Sequence, residues 1–70
     1  MNKQTVHIHT EYIKLDALLK LANTVGSGGE AKLAIQEGQV QLNGEPCLQR
    51  GRKIRPGDVV LFAGQEISVT

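Results

Sequence analysis

A cluster of basic residues in the second half of the chain is the clearest chemical feature of this sequence. Half of the eight Lys and Arg residues fall within six positions, and no acidic residue lies between Glu45 and Asp58. The cluster consists of Arg50, Arg52, Lys53 and Arg55. A guanidinium can bind a phosphate with two parallel hydrogen bonds whereas an ammonium acts as a point charge, so this mixture favours a clamp on a phosphate backbone. The alternative is a loop whose charge serves only solubility. Ile54, inside the cluster, is expected to turn inward and anchor it.

A pair of adjacent glycines stands where a helix is about to begin, in the stretch SGGEAK. Glycine costs about 1 kcal/mol relative to alanine in a helix, so Gly28 and Gly29 predict a close approach by another backbone. The free amides and positive dipole end of a helix start also favour a phosphate oxygen. The sequence lacks the glycine patterns of nucleotide-binding loops, which disfavours a bound nucleotide and leaves a phosphate oxygen from any other source, including a nucleic-acid backbone. The alternative is that the first helical turn merely tolerates both glycines.

Polar side chains follow the glycine pair at regular spacing. Lys32 and Gln36 are four residues apart and share one face of the predicted helix, and Gln39 and Gln41 alternate with Val40 just beyond it. Amines and amides supply the donors and acceptors that bind RNA backbone and 2′-hydroxyl groups. We expect these four polar side chains to form one strip, although a solvated surface lysine is the plainer interpretation of Lys32.

His7 and His9 have a spacing that could ligate a metal, because alternate residues share one face of a strand. Only Cys47 and scattered acidic residues could complete a coordination shell, and their spacing does not indicate one. Cys47 has no recognisable base beside it, so we expect a small, partly buried apolar side chain. Paired carboxylates and catalytic triads are absent from the sequence. We therefore expect a protein that is not an enzyme and uses no metal or cofactor.

Length and composition set the broad class of the protein. The 70 residues suffice for one small domain over residues 1–70, and the single cysteine excludes an intramolecular disulfide. The polar start and short apolar runs predict neither a signal peptide nor a membrane span, so we expect a cytoplasmic protein. A net charge of +1 says little about partners. With two aromatic residues, Tyr12 and Phe62, broad stacking on nucleic-acid bases is not favoured.

The first third of the chain predicts a strand and then a short helix. Residues 5–9 alternate polar and apolar side chains, as a half-buried strand does. From Leu15 the apolar period becomes helical, with Asp16 placed to cap or charge the helix start and Asn23 and Gly26 marking its end. The apolar stripe consists of Leu15, Leu18, Leu19 and Ala22.

A second helix is predicted directly after the first. Ser27 and Glu30 have the spacing of a capping box, in which each side chain binds the other residue's amide, and Gly38 ends the helix. Its apolar face consists of Ala31, Ala34 and Ile35. Both helices are too short to be stable alone, so each must pack on an apolar surface.

Turn signals predict that this surface is a small sheet. Asn43-Gly44 is a strong two-residue hairpin signal, and Pro46 places the return strand, residues 45–48, at a sheet edge. Pro56 and Gly57 fit the centre of a type II turn. The remaining predicted elements are a strand over residues 59–62, a turn at Gly64 and Gln65, and a strand over residues 66–69. The predicted fold class is α+β, with two short helices on a mainly antiparallel, curled sheet that the first strand could join.

Three stretches resemble a known RNA-binding domain. KLDALLKLA, SGGEAKLAIQEGQVQLNG and IRPGDVV are similar to the domain named after small-subunit ribosomal protein S-four, also called the alpha-L motif. The resemblance covers about residues 12–62. Within the family, SGGEAK, NGE and RGRK are most similar to the small stand-alone bacterial members of the YbcJ and YaaA type.

The resemblance implies a particular RNA surface. In the family this surface comprises the start of the first helix, the exposed face of the second, and the nearby strand and loop. By position it implicates Lys14, Lys32, Gln36, Gln39 and Gln41. Many members carry an arginine directly after the capping serine, where this chain has Gly28. We expect the basic loop to compensate for that missing side chain.

The sequence therefore predicts a small, non-enzymatic module that binds structured RNA, such as ribosomal or transfer RNA, chiefly through shape and phosphates. We expect a monomer that binds neither a membrane nor a small-molecule substrate. One alternative is a protein-interaction adaptor that uses the edge strand at residues 45–48 or the basic loop. Another is a subunit of an RNA-modifying enzyme whose catalysis is supplied by a different chain.

Overall fold

The computed structural model describes residues 2–70, which form two α-helices and seven β-strands. The helices are α1 (Leu15–Leu21) and α2 (Gly28–Gln36). The strands are β1 (Asn2–Val6), β2 (Ile13–Lys14), β3 (Gln41–Leu42), β4 (Glu45–Pro46), β5 (Lys53–Ile54), β6 (Val59–Phe62) and β7 (Gln65–Val69). Neither helix in this range is an apolar segment long enough to cross a membrane.

The strands form a five-stranded sheet and a separate two-stranded ribbon. The sheet order is β1-β7-β6-β3-β4, and the ribbon pairs β2 with β5. The β1–β7 pair is parallel and the other pairs are antiparallel, which confirms a mainly antiparallel sheet that the first strand joins. The predicted bounds of that strand, residues 5–9, are wrong, because the β1 ladder runs over Asn2–Val6. Beyond it, the Ile8 amide still donates to the carbonyl of Thr70 at 2.9 Å.

The core lies between the two helices and the inner face of the sheet. The predicted apolar residues of α1 and α2 are buried, as are alternate residues of the sheet strands. The fully buried large side chains are Leu15, Leu18, Leu19, Ile35, Val40, Ile54, Val60, Ile67 and Val69. Ile54 therefore turns inward as predicted, and it brings the end of the basic loop onto the core.

The ends of the helices follow local signals in the sequence. The Ser27 hydroxyl accepts a hydrogen bond from the Glu30 amide at 3.2 Å, which confirms the predicted cap of α2. The reciprocal half of the capping box is wrong, because the Glu30 carboxylate accepts from the Gly26 amide at 3.0 Å. Gly38 and Asn23 end the two helices with φ of 75° and 57°.

The start of α1 is capped differently from the prediction. Its N-cap residue is Lys14, which makes no side-chain cap, and the Asp16 carboxylate accepts only from the neighbouring Ala17 amide at 2.7 Å. Two carbonyls of the basic loop take the capping role. The Leu15 amide donates to the carbonyl of Arg52 at 2.9 Å, and the Asp16 amide donates to that of Arg50 at 3.1 Å. Asp16 thus places its charge in the first turn, and the loop backbone caps the helix.

The predicted hairpin at Asn43-Gly44 is present, and its two turn residues have φ of 51° and 88°. The return strand β4 lies at the edge of the sheet, as predicted. At an edge, the missing amide hydrogen of Pro46 leaves no neighbouring strand without a hydrogen-bond donor.

The turn before β6 also follows its prediction. The Asp58 amide donates to the carbonyl of Arg55 at 3.0 Å, and Gly57 has the positive φ, 99°, that a type II turn requires.

The last predicted turn is displaced by one residue. It is centred on Ala63 and Gly64, with φ of 53° and 75°, so β7 already begins at Gln65. Alanine rarely adopts a positive φ, and the sequence pattern therefore pointed to the wrong pair of residues.

Candidate nucleic-acid interface

The β2–β5 ribbon places two lysines side by side. Its register pairs Ile13 with Ile54 and Lys14 with Lys53. Ile54 is buried and Ile13 is half-buried, so the two lysine side chains lie together on the opposite, solvent-exposed side. Like charges directly opposite on one face of a strand pair repel each other. The register thus places two like-charged side chains opposite each other, an arrangement that lowers stability.

The basic loop, residues 50–55, includes β5 and therefore supplies one strand of this ribbon. It begins with a turn in which the Arg52 amide donates to the carbonyl of Gln49 at 3.1 Å. The carbonyls of Arg50 and Arg52 face α1 and cap it, while both arginine side chains are exposed. The loop is therefore fixed to the protein through its backbone, and its guanidinium groups are available to a ligand.

We use the name cationic face for five exposed basic side chains: Lys14, Arg50, Arg52, Lys53 and Arg55. Among the described residues they have no ion-paired carboxylate. Within residues 2–70, the ion pair of the structure joins Lys3 Nζ on β1 to Glu66 Oε2 on β7 at 3.9 Å. None of the five side chains forms an ion pair with a described carboxylate. A group of five cations, with the single carboxylate of Asp58 near Arg52 and Arg55, creates a net positive potential that attracts polyanions.

Tyr12 belongs to the same surface, although it was not among the predicted site residues. Lys53 Nζ lies 4.9 Å from the centre of the Tyr12 ring, a cation–π contact, and the residue is 36% exposed. Tyr12 and Lys14 flank the inward-facing Ile13, so they share a face of the ribbon. That alternation was visible in the sequence, but the two-residue strand is too short to stand out as a pattern.

Asp58 fixes the geometry around Arg55. Its carboxylate accepts from the Arg55 amide at 2.8 Å and from Asn43 Nδ2 at 3.1 Å. The Arg55 amide is the main cause that holds the pKa of Asp58 below its usual value. Partial burial opposes this effect, while the Asn43 amide and the positive charges of Arg52 and Arg55 add to it. Asp58 therefore joins the hairpin turn to the turn that ends the basic loop.

The exposed face of α2 forms a second part of the candidate interface. Gly29, Lys32, Leu33 and Gln36 recur at three- and four-residue spacing and are all exposed. Leu33 is 58% exposed, which makes it an apolar member that the polar pattern did not reveal. An exposed aliphatic side chain among polar ones suits contact with a sugar or a base edge.

Neither the backbone conformation nor the neighbouring described residues require glycine at positions 28 and 29. A Cβ added to Gly28 would meet nothing within 4 Å, and one added to Gly29 would meet only Ser27 Oγ at 3.8 Å. Neither residue has a positive φ. The open space above this turn is compatible with the close approach of a second backbone.

Gln39 and Gln41 follow the end of α2, the first before β3 and the second within it. Gln39 Nε2 donates to the Glu37 carboxylate at 3.1 Å, next to the end of α2. Gln41 pairs with Leu61 in the sheet and is exposed on the sheet's outward face. The predicted polar strip therefore has one part on α2, with Lys32 and Gln36, and another on the sheet.

The histidines and the cysteine are placed without a coordination shell. The rings of His7 and His9 meet edge to face, with centroids 4.9 Å apart. Among residues 2–70, no group of three or more His, Cys, Asp or Glu side chains is arranged to hold a metal ion. Cys47 is buried as predicted, with Sγ 3.8 Å from the carbonyl of Gln49.

Together, these features define a small α+β domain in which a two-helix unit and a curled sheet present a cationic face and an exposed helix face. The chain belongs to the S4 domain family, whose model matches residues 6–70. This confirms the predicted family and extends the match beyond residues 12–62.

Two relatives match most of the chain. The "Probable ribosome maturation protein RlbA" of Bacillus subtilis (strain 168) is 48% identical over 59 residues, covering 84% of this chain and 83% of the relative. The "Putative RNA-binding protein YbcJ" of Escherichia coli (strain K12) is 41% identical over 58 residues, covering 83% of each. The resemblance to the YbcJ type is therefore confirmed.

Proposed function

We propose that this protein is a small, non-enzymatic RNA-binding module that recognises structured RNA, such as ribosomal or transfer RNA. Membership of the S4 domain family and the names of two similar relatives, one for RNA binding and one for ribosome maturation, support an RNA-binding role. The single observation that carries the proposal is the cationic face, whose five side chains have no carboxylate partner among the described residues.

The cationic face provides the main phosphate contacts in this proposal. Arg50, Arg52 and Arg55 bind phosphate oxygens through their guanidinium forks, and Lys14 and Lys53 act as a pair of point charges. Because carbonyls of the loop are bound to the first turn of α1, the backbone that carries the arginines is in position before the RNA arrives. Pre-ordering of this kind reduces the entropy lost on binding.

The exposed face of α2 provides a second set of contacts. Lys32 and Gln36 offer a cation and an amide to the RNA backbone and 2′-hydroxyl groups. The open first turn at Gly28 and Gly29 admits the backbone closely. Gln39 and Gln41 add amide contacts at the end of α2 and on the sheet.

A titration of a structured RNA at several salt concentrations tests this function. Each neutralised phosphate releases counterions, so the logarithm of affinity should fall with the logarithm of salt by about 0.7 to 0.9 per phosphate contact. We expect a slope that corresponds to several contacts. A flat salt response would contradict the proposal.

A second candidate function is a protein-interaction adaptor, favoured by the surface around β4. This edge strand borders a groove of about 590 Å³ whose lining includes Pro46, Leu48 and Arg52, and Leu48 is 62% exposed. A partner strand could add to this edge. Replacing Arg50, Arg52 and Lys53 by glutamate and measuring co-purified RNA and protein separates the two functions. Unchanged RNA recovery would favour the adaptor.

A further inference from the structure

We propose that Tyr12, Lys14 and Lys53 form a subsite for one unpaired nucleotide of the RNA. The base stacks on the Tyr12 ring, and the adjoining phosphate lies between the two ammonium groups. This inference rests on the proposed RNA-binding function and adds that this part of the surface binds an unpaired nucleotide of the RNA.

The β2–β5 ribbon brings the three side chains together. Tyr12 and Lys14 flank Ile13 on β2 and its approach, while Lys53 stands directly opposite Lys14 on β5. Lys53 Nζ is 4.9 Å from the centre of the Tyr12 ring. Ile54 is fully buried beneath the ribbon, so the core fixes the backbone on which these side chains stand. An aromatic ring next to two cations matches the base and phosphate of a single nucleotide.

An incoming phosphate changes the partners of Lys53. In the free protein its ammonium rests on the Tyr12 ring, and the register places the like-charged Lys14 opposite Lys53, where the two side chains repel each other. A phosphate between the lysines replaces that repulsion with two attractions, which are stronger than an exposed cation–π contact. Lys53 has a flexible stem, so it can leave the ring as it binds the phosphate. The ring is then uncovered for a base, and the two contacts favour each other.

The chemistry of stacking limits the base to an unpaired one. In a duplex both faces of each base are covered by neighbours, whereas bases in bulges and loops can be splayed out and stacked on aromatic side chains. Tyr12 and Phe62 are the two aromatic residues in the chain, and Phe62 packs against the core. Tyr12 is the ring that lies beside Lys53 and shares the ribbon face of Lys14, so this subsite stacks one base beside a surface that otherwise binds phosphates.

Two RNA hairpins with the same stem test this inference. The stem of one is fully paired and the stem of the other carries a single unpaired adenosine, and in both a flexible non-nucleotide linker replaces the loop, so that the paired RNA has no unpaired base. Wild type, Tyr12→Phe and Tyr12→Leu are titrated with both RNAs at one low salt concentration. Loss of a stacking contact lowers affinity by about 5- to 150-fold. We expect this loss for Tyr12→Leu on the bulged hairpin only, whereas Tyr12→Phe should bind both RNAs like wild type.

Nuclear magnetic resonance provides a second readout on the wild-type protein. The ring protons of Tyr12 should move upfield with the bulged hairpin and not with the paired one, because a stacked base shields them. The ring protons of Phe62 serve as the internal control.

Equal losses of affinity for both hairpins in Tyr12→Leu, with unchanged Tyr12 ring signals, would overturn the subsite and leave Tyr12 as a support for Lys53. Failure of the wild type to bind either hairpin at low salt would overturn the proposed RNA binding itself. Thermal unfolding of each variant checks that the fold is retained.

Discussion

Lys14 and Lys53 face each other across the β2–β5 ribbon, where opposite charges would be more stable. We expect Lys14→Glu to raise the free energy of unfolding by about 0.2–1 kcal/mol, because it converts a repulsive cross-strand pair into an attractive one. The same change should weaken RNA binding. Urea unfolding and RNA titration measure the two effects. Lys20→Glu, an equal charge change at the exposed end of α1, is the control for RNA affinity.

The expected result for Lys14→Glu is therefore a higher free energy of unfolding together with a lower affinity for RNA. A Lys14→Glu variant that is more stable and binds RNA as tightly as wild type would contradict a role for Lys14 in binding. A variant that loses stability would contradict the repulsion inferred from the register.

Asp58 makes the free energy of unfolding depend on pH in the acidic range. Its pKa is lowered in the folded protein, so its stabilisation is present at pH values above the unfolded value of 3.8 and is lost as pH falls through the lower, folded value. Asp58→Asn should therefore flatten the fall in stability on acidification. At neutral pH it should cost about 1 kcal/mol, because the amide replaces a charged acceptor of two hydrogen bonds.

Urea unfolding at neutral pH and at pH values below 3.8 measures the effect of Asp58. Glu11→Gln, which removes an exposed carboxylate outside this network, is the matched control. If both variants show the same dependence on pH, the hydrogen bonds of Asp58 do not set the acid response.

At the scale of elements, the first turn of α2 combines a firm cap with two residues that weaken a helix. Alanine at either glycine meets open space, so Gly28→Ala and Gly29→Ala should each stabilise the fold by up to about 1 kcal/mol. If the RNA backbone approaches this turn, the added methyl groups should also lower RNA affinity. Thermal unfolding and RNA titration measure both properties.

Gly38→Ala provides the contrast for the glycine variants. Gly38 has φ of 75°, so alanine there should destabilise the protein by about 1–2 kcal/mol. Glycine variants of α2 that gain stability and keep full RNA affinity would show that the open turn does not contact RNA.

At the scale of the whole molecule, RNA affinity should depend on where a charge lies and not only on how many there are. Arg52→Gln removes one cation from the cationic face, so the salt slope should fall by about 0.7–0.9. Lys20→Gln removes one cation from the end of α1 and should leave the slope unchanged. Equal slopes for the two variants would indicate that net charge alone attracts the RNA.

The parts of the fold that depend on neighbouring residues could be predicted from the sequence. The helix stripes, the Ser27 cap and the Asn43-Gly44 hairpin all have short-range signals, and the structure confirms them. The Ala63 turn could not be predicted, because alanine carries no signal for a positive φ.

The assembly of the candidate site was less accessible to sequence analysis. Residue types identified the basic loop, but nothing local indicated that β5 would pair with β2, about forty residues earlier in the chain. That pairing sets Lys14 beside Lys53 and brings Tyr12 to the same surface. Long-range register depends on how the whole core packs, and a single sequence does not reveal it.

The capping of α1 by the carbonyls of Arg50 and Arg52 has an evolutionary consequence. Every residue type has a carbonyl, so helix capping places no demand on which side chains stand at these two positions. Mutations there can change the charge and shape of the exposed surface while the start of α1 remains intact. Descendants of one ancestral domain can thus exchange the side chains at these two exposed positions without first having to gain stability elsewhere.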